Sequence, residues 1–185
     1  MLINLTENKT KPVFKPMKSN GKLPIKLGWA GAYRSFEITG GPFDNFVQAE
    51  GRFGVCVRAE PVSRPHAGVT LPIHDFSVPK MPKGQVDCVI QRALQEALDG
   101  KEVYVGCMGG WGRTGLFLAL LAKACGKEDP VGYVRKHYTP HAVETYDQVR
   151  YVAAFDVSRL RNRLFFAAWR VRWGRTFPWF RWPMG

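Results

Sequence analysis

Apolar positions along the chain change their spacing several times, and each change predicts an element. Residues 53–61, FGVCVRAEP, form a short β-rich run that Pro61 ends. Residues 68–76, GVTLPIHDF, form another, which leads into the proline-punctuated loop SVPKMPKG. Val86, Val89, Ile90, Ala93, Leu94, Ala97 and Leu98 then recur at helical spacing, and Gly100 closes that helix. Residues 102–107, EVYVGC, predict a short strand that runs into a glycine-rich loop. Residues 116–124, LFLALLAKA, are apolar almost all round and predict a buried helix with Gly126 as its C-terminal cap. Asp129-Pro130 reads as an N-cap followed by a first-turn proline. A last long helix is expected from near Thr145, with Val149, Val152, Ala153, Asp156 and Leu160 on one face. Strands that alternate with helices predict an α/β fold in three layers, with a largely parallel central sheet flanked by helices.

The distribution of charge divides the chain further. The net charge of +12 is concentrated at the ends: residues 1–30 hold six lysines and one glutamate, and residues 157–185 hold seven arginines and no acid. The segment between them carries fourteen basic and fourteen acidic residues. We therefore expect a domain over 28–156, a basic extended arm over 1–27 and an Arg/Trp-rich extension over 157–185. The extension holds four of the six tryptophans. Its first part is expected to continue the last helix over the core with Leu160 and Leu164 packed, and Pro178 and Pro183 prevent a long regular helix beyond. Arg/Trp mixtures suit an anionic membrane surface or a nucleic acid as partner. They equally suit a cover for the domain's own surface.

Cys56, Cys88, Cys107 and Cys125 fall at no zinc-like spacing, and a chain with its own core needs no disulfide framework. They read as reduced thiols in a cytoplasm, with no metal or cofactor implied. The opening LINLTENKTK lacks the order of a signal peptide, and no window is long and apolar enough to span a bilayer.

Candidate chemistry lies in the loop after the 102–107 strand, CMGGWGRTG. Cys107 and Arg113 enclose Gly109, Gly110 and Gly112, and Thr114 follows. Glycines let a tight backbone turn successive N–H groups inward into an anion-sized nest, and the helix that follows aims its positive end at the same point. Arg113 offers a planar fork for two phosphate oxygens. A sulfur at the loop's start sits among groups that all favour negative charge, and the Thr114 hydroxyl can donate to it or to a bound oxyanion. The alternative is a buried strand-end cysteine beside a structural turn; the full constellation favours a nucleophile under a phosphate cradle. In that cradle Met108, Gly109, Gly110, Trp111, Gly112 and Arg113 hold the phosphate. Trp111 either lines the pocket mouth, where it stacks on an aryl or base ring, or packs beneath the loop.

The loop resembles the C-x5-R-[ST] signature of the cysteine-dependent protein tyrosine phosphatase superfamily. Among its branches it most resembles the dual-specificity phosphatases, and C-x-G-G-x-G-R is similar to the loop of the kinase-associated phosphatase. The likeness runs from about residue 50 to 156 and implies a dual-specificity phosphatase-like fold, a cysteinyl-phosphate intermediate and no metal. It implies that Cys107 attacks phosphorus, Arg113 and the loop amides hold the phosphoryl oxygens, and Asp75 in LPIHDFSVP acts as general acid and then base. His74 is expected to pack or bond locally. Helix 86–98 matches the helix before the catalytic strand, and VRKHYTPHAVETYDQVRYVAAF matches the C-terminal segment. There Gln148 takes the place of a glutamine that positions water in some relatives, although Thr145-x-x-Gln148 is also a capping box, the reading we prefer.

Two departures stand out. The family usually has histidine where Gly106 stands, and that histidine helps to hold the loop. Phosphoinositide-selective relatives often carry loop lysines, where this chain has Met108 and Trp111. The expected substrate is therefore phosphotyrosine or phosphoserine/threonine in a protein. RNA 5′-phosphates, nucleotides and lipid phosphates are alternatives that would engage the basic ends, and a weakly catalytic phosphate-binding module is a further one.

Overall fold

The computed structural model describes residues 21–29, 32–61, 68–164 and 166. Five strands, β1 (Gly21–Trp29), β2 (Ala32–Pro42), β3 (Arg52–Cys56), β4 (Val69–Thr70) and β5 (Glu102–Cys107), make one sheet in the order β1-β2-β5-β3-β4. β1 and β2 pair antiparallel, and every other pair is parallel. Among the described residues, the helices α1 (Lys83–Leu98), α2 (Gly112–Ala124), α3 (Pro130–His137) and α4 (Tyr146–Ala154) follow the expected pattern, and a further helical run starts at 158. The chain is an α/β protein with a largely parallel sheet. Among the described residues, no helix is long and apolar enough to cross a membrane.

Side-chain alternation along β5 decides which face receives the helices. Val103, Val105 and Cys107 point into the main core with Leu23, Ile25, Leu27 and Ile38 of the hairpin and with the apolar face of α1. Tyr104 points the other way, into a small cluster with Phe43, Phe46 and Cys56. Helix α2 is buried on all sides, as its composition predicts, because it packs on β2, β5 and α1 and is covered by α3 and α4. Asp129 caps α3 by accepting the Gly132 N–H at 2.9 Å, and Gly126 follows the last turn of α2 as expected. All four cysteines are free thiols, and burial pushes the Cys125 thiol up to about 12.

Three expectations need correction. Residues 21–27 belong to the sheet and not to an arm: Leu23, Ile25 and Leu27 alternate with Lys22, Pro24 and Lys26, so a strand with one apolar face was hidden by its lysines. The long strand β2, with its exposed Tyr33 and Glu37, was not anticipated. The last helix is not continuous, since α4 stops at Ala154 and a separate helical run begins at 158. Leu160 and Leu164 of that second run are buried in the core, so the domain continues past 156. Residues 1–20, residue 165 and residues 167–185, with most of the basic arm and the Arg/Trp-rich tail, lie outside the described residues.

The end of β2 fixes the residue before Cys107. A Cβ on Gly106 would stand 2.7 Å from Phe43 Cα, 2.8 Å from Phe43 N and 2.9 Å from Gly41 O. Backbone that close leaves no room for any side chain, so the familial histidine is sterically excluded here. Tyr104 holds this turn from below by donating its hydroxyl to Pro42 O at 2.7 Å. Gly106→Ala is expected to destabilise the fold by about 1–3 kcal/mol through overpacking, read as a lower midpoint in urea unfolding.

Candidate active site

Parallel strands end at one edge of the sheet, and the loops beyond their carboxyl ends are where such folds bind ligands. β5 delivers Cys107 to that edge, β3 runs on to Arg58 and Glu60, and the chain after β4 reaches Ile73 and Asp75. The Cys107 side chain is buried.

The loop from Cys107 to Arg113 wraps back on its own sulfur. Gly110 N–H donates to Cys107 Sγ at 3.2 Å. Gly110 has φ of +79°, a left-handed conformation in which a side chain would be strained, and a Cβ there would also meet Gly41 C at 2.7 Å. Thr114 Oγ1 accepts the Cys107 N–H at 3.0 Å, which ties the end of β5 to the first turn of α2. In this bond the hydroxyl is an acceptor, and its own hydrogen is left for the expected donation to sulfur or a bound oxyanion. Gly109 and Gly112 lie in the same loop, Met108 projects outward, and Trp111 forms a tilted stack with His141 at a centroid distance of 5.4 Å.

Arg113 is only 3% exposed, so its charge must be answered within the protein. Nη1 donates to both Glu60 oxygens at 2.8 and 2.7 Å and to Ile73 O at 3.1 Å. Nη2 lies 3.2 Å from Asp75 Oδ1. Burial works to raise the Glu60 carboxyl, but the backbone N–H bond, Arg113 and Arg58 outweigh it and hold the group below its ordinary value. Arg58 is in turn secured by Asp44 Oδ2 at 3.2 Å and Pro61 O at 2.7 Å. The structure thus brings Cys107, Arg113 and Asp75 together, with Asp75 itself well exposed.

Gln148 is fully buried, and both ends of its amide are engaged. It forms the capping box with Thr145, and its Nε2 donates to Ser77 O at 3.1 Å. It therefore caps α4 and anchors the loop that carries Asp75. The His74 side chain is exposed, and it is the residue's backbone carbonyl that accepts the Ser77 N–H at 3.1 Å and closes the turn around Asp75.

Two acidic residues at the site escaped sequence reasoning. Glu60 lies just beyond the carboxyl end of β3, and its place at that edge was the available signal. Glu144 accepts the Gly112 N–H at the start of α2; burial, then the nearby Asp75 carboxylate, pushes its own carboxyl above the ordinary value. Both became visible only once the fold had brought three loops to one guanidinium.

Residues 59–160, over half of the chain, match the family model described as "PTP-SAK: Swiss Army Knife protein, DSP-PTPase phosphatase domain". Two uncharacterized proteins of Methanocaldococcus jannaschii are similar. One is 38% identical over 90 residues, 49% of this chain and 60% of the relative. The other is 36% identical over 85 residues, 46% of this chain and 52% of the relative. The matched stretch is thus little more than half the length of either. A crystal structure of Tk-PTP in the active form aligns with a TM-score of 0.46 and 27% identity, covering 60% of this chain and 79% of that one. A glycine-to-alanine mutant form of Tk-PTP aligns with a TM-score of 0.48 and 20% identity, covering 77% and 97%.

The Glu60–Arg113 pair has a pH signature. A carboxyl held below its ordinary value of 4.5 contributes stability that is present above that value and is lost as pH falls through the lowered value. Glu60→Gln is expected to cost about 1 kcal/mol at neutral pH, discounted for partial exposure. Its melting temperature should converge with that of the wild type in acid.

Proposed function

The chain belongs to the PTP-SAK family of DSP-PTPase phosphatase domains, and we propose that it hydrolyses phosphomonoesters through a cysteinyl-phosphate. The convergence of Arg113 and Asp75 on the loop whose Gly110 N–H reaches Cys107 Sγ is the observation that carries this reading.

In the first step the Cys107 thiolate attacks phosphorus, an S–P bond forms and the ester P–O bond breaks. The electron pair leaves on the ester oxygen, which takes the proton of the Asp75 carboxylic acid. Nη2 of Arg113 and the amides of Met108, Gly109, Gly110, Trp111 and Arg113 hold the non-bridging oxygens where charge builds, and the Gly112 amide joins them only where the phosphoryl group displaces Glu144 from it. In the second step the Asp75 carboxylate takes a proton from water, the oxygen attacks phosphorus, and the S–P bond breaks to release inorganic phosphate and the thiolate. In the resting site Asp75 occupies Nη2, and the phosphoryl group replaces it there.

The substrate that fits best is a single phosphate on a protein side chain, phosphotyrosine or phosphoserine/threonine. Glu60, Asp75 and Glu144 surround the one loop cation, so further phosphates on the same ligand meet carboxylates and not lysines. Exposed Phe76 and Met108 sit next to Asp75 and Cys107 in sequence and offer apolar contact to a polypeptide.

Cys107→Ser is expected to abolish hydrolysis of an aryl phosphate; turnover that survives it would remove Cys107 as nucleophile. Asp75→Asn is expected to lower kcat by about 10²–10⁴-fold with phosphate binding retained. Faster release from an RNA 5′-phosphate than from phosphopeptides would overturn the substrate assignment.

A further inference from the structure

Tyr138, at the C-terminal end of α3, reaches across the molecule to the active-site loop. Its hydroxyl donates to the carbonyl oxygen of Gly110. The chain makes specific room for this reach. Gly21 of β1 and Gly40 of β2 are paired in register across the hairpin. A Cβ on Gly21 would stand 2.5 Å from Tyr138 Cδ2, and one on Gly40 would stand 2.8 Å from Cε2 and 3.0 Å from the hydroxyl. Two paired glycines therefore open a slot in the sheet that the tyrosine ring fills. Burial pushes the Tyr138 hydroxyl far above its ordinary value, so it remains a protonated donor.

The carbonyl it holds is in a critical place. A trans peptide points its C=O and N–H in opposite directions, so fixing the Gly110 oxygen also fixes the direction of the Trp111 N–H. On the other side of the same residue, the Gly110 N–H is directed at Cys107 Sγ. With φ of +79°, Gly110 lies in the left-handed region that a glycine adopts without strain, so the direction of its carbonyl is not fixed by a side chain of its own. A Gly110 carbonyl turned inward would present a negative oxygen to an anion and withdraw an N–H from it.

We propose that Tyr138 is a positioning residue for the anion cradle, its hydroxyl pinning the Gly110 carbonyl outside the loop so that the amides on either side face Cys107 and the phosphoryl oxygens. This rests on the phosphatase reading for its catalytic consequence and on geometry alone for its effect on anion binding. The ring's packing and the hydroxyl's bond are separable, because Tyr138→Phe keeps the first and removes the second.

The experiment compares wild type with Tyr138→Phe in inorganic phosphate binding by calorimetry, in kcat and KM for an aryl phosphate, and in thermal melting by circular dichroism. The expected result is a folded variant with phosphate affinity and kcat/KM each lowered about 10–100-fold, somewhat less than direct loss of an oxyanion donor, with KM raised and kcat lowered together. A variant that binds phosphate and turns over as wild type does, even if it melts earlier, overturns the proposal, since the hydroxyl would then serve stability alone. The two readings fail separately. If wild type binds phosphate but hydrolyses no monoester, the phosphatase reading falls while the binding comparison still decides the role of Tyr138. If wild type hydrolyses and Tyr138→Phe is silent, the positioning role alone falls.

Discussion

The buried guanidinium of Arg113 sets the terms for the rest of this site. Its position is dictated by sequence, in the first turn of α2 just after the loop, and its exposure is only 3%. Taking such a charge out of water costs several kcal/mol unless partners surround it. Partners are supplied by two stretches that are distant in sequence: Glu60 beyond β3, and Ile73 with Asp75 beyond β4. The demand propagates outward. Glu60 is steadied by Arg58, Arg58 by Asp44, and Asp44 belongs to the short 3-10 turn Phe43–Asn45 whose backbone closes over Gly106. A linked series of charges thus runs from Arg113 through Glu60 and Arg58 to Asp44 along the carboxyl edge of the sheet.

The two edges of that guanidinium are not equivalent, and the difference separates structure from chemistry. Nη1 is consumed by two carboxylate oxygens and a carbonyl, all within the fold. Nη2 is matched by Asp75, whose side chain is 57% exposed and so is the partner most easily replaced. The Asp75 edge can therefore be vacated without disturbing Glu60. Holding the cation firmly by one edge and loosely by the other keeps the loop rigid while leaving one pair of N–H donors exchangeable.

How much of this could be read in the sequence follows from the range of the interactions. Local patterns gave reliable expectations: the helical period of 86–98, the uniformly apolar 116–124, the caps at Asp129 and Thr145, and the glycine loop between a strand and a buried helix all reappear in the structure. The hairpin was obscured because Lys22, Lys26 and Pro24 dominate the composition of a segment whose alternate residues are core. The continuous last helix failed because side-chain periodicity says nothing of the backbone at 155–157, where Phe155 is extended. Glu60 was signalled only by its place just beyond β3, and Glu144 and Tyr138 could not be read at all, since each meets the loop only through tertiary approach over 28 residues or more.

Gln148 shows how a residue in a functional position can serve through the backbone. Its amide is divided between its own helix cap and the Ser77 carbonyl, two residues after Asp75. A fully buried amide cannot abandon those bonds without leaving polar atoms unsatisfied. Ser77 is therefore a fixed end for the loop that carries Asp75, while Phe76 beside it holds a positive φ of 53° and an exposed ring. A non-glycine residue in that region carries local strain that its surroundings must maintain. Here the surroundings are the Gln148 anchor on one side and the Asp75–Arg113 pair on the other. If the Asp75–Arg113 pair opens, the Gln148 restraint remains, so movement of the segment that carries Asp75 is bounded at Ser77.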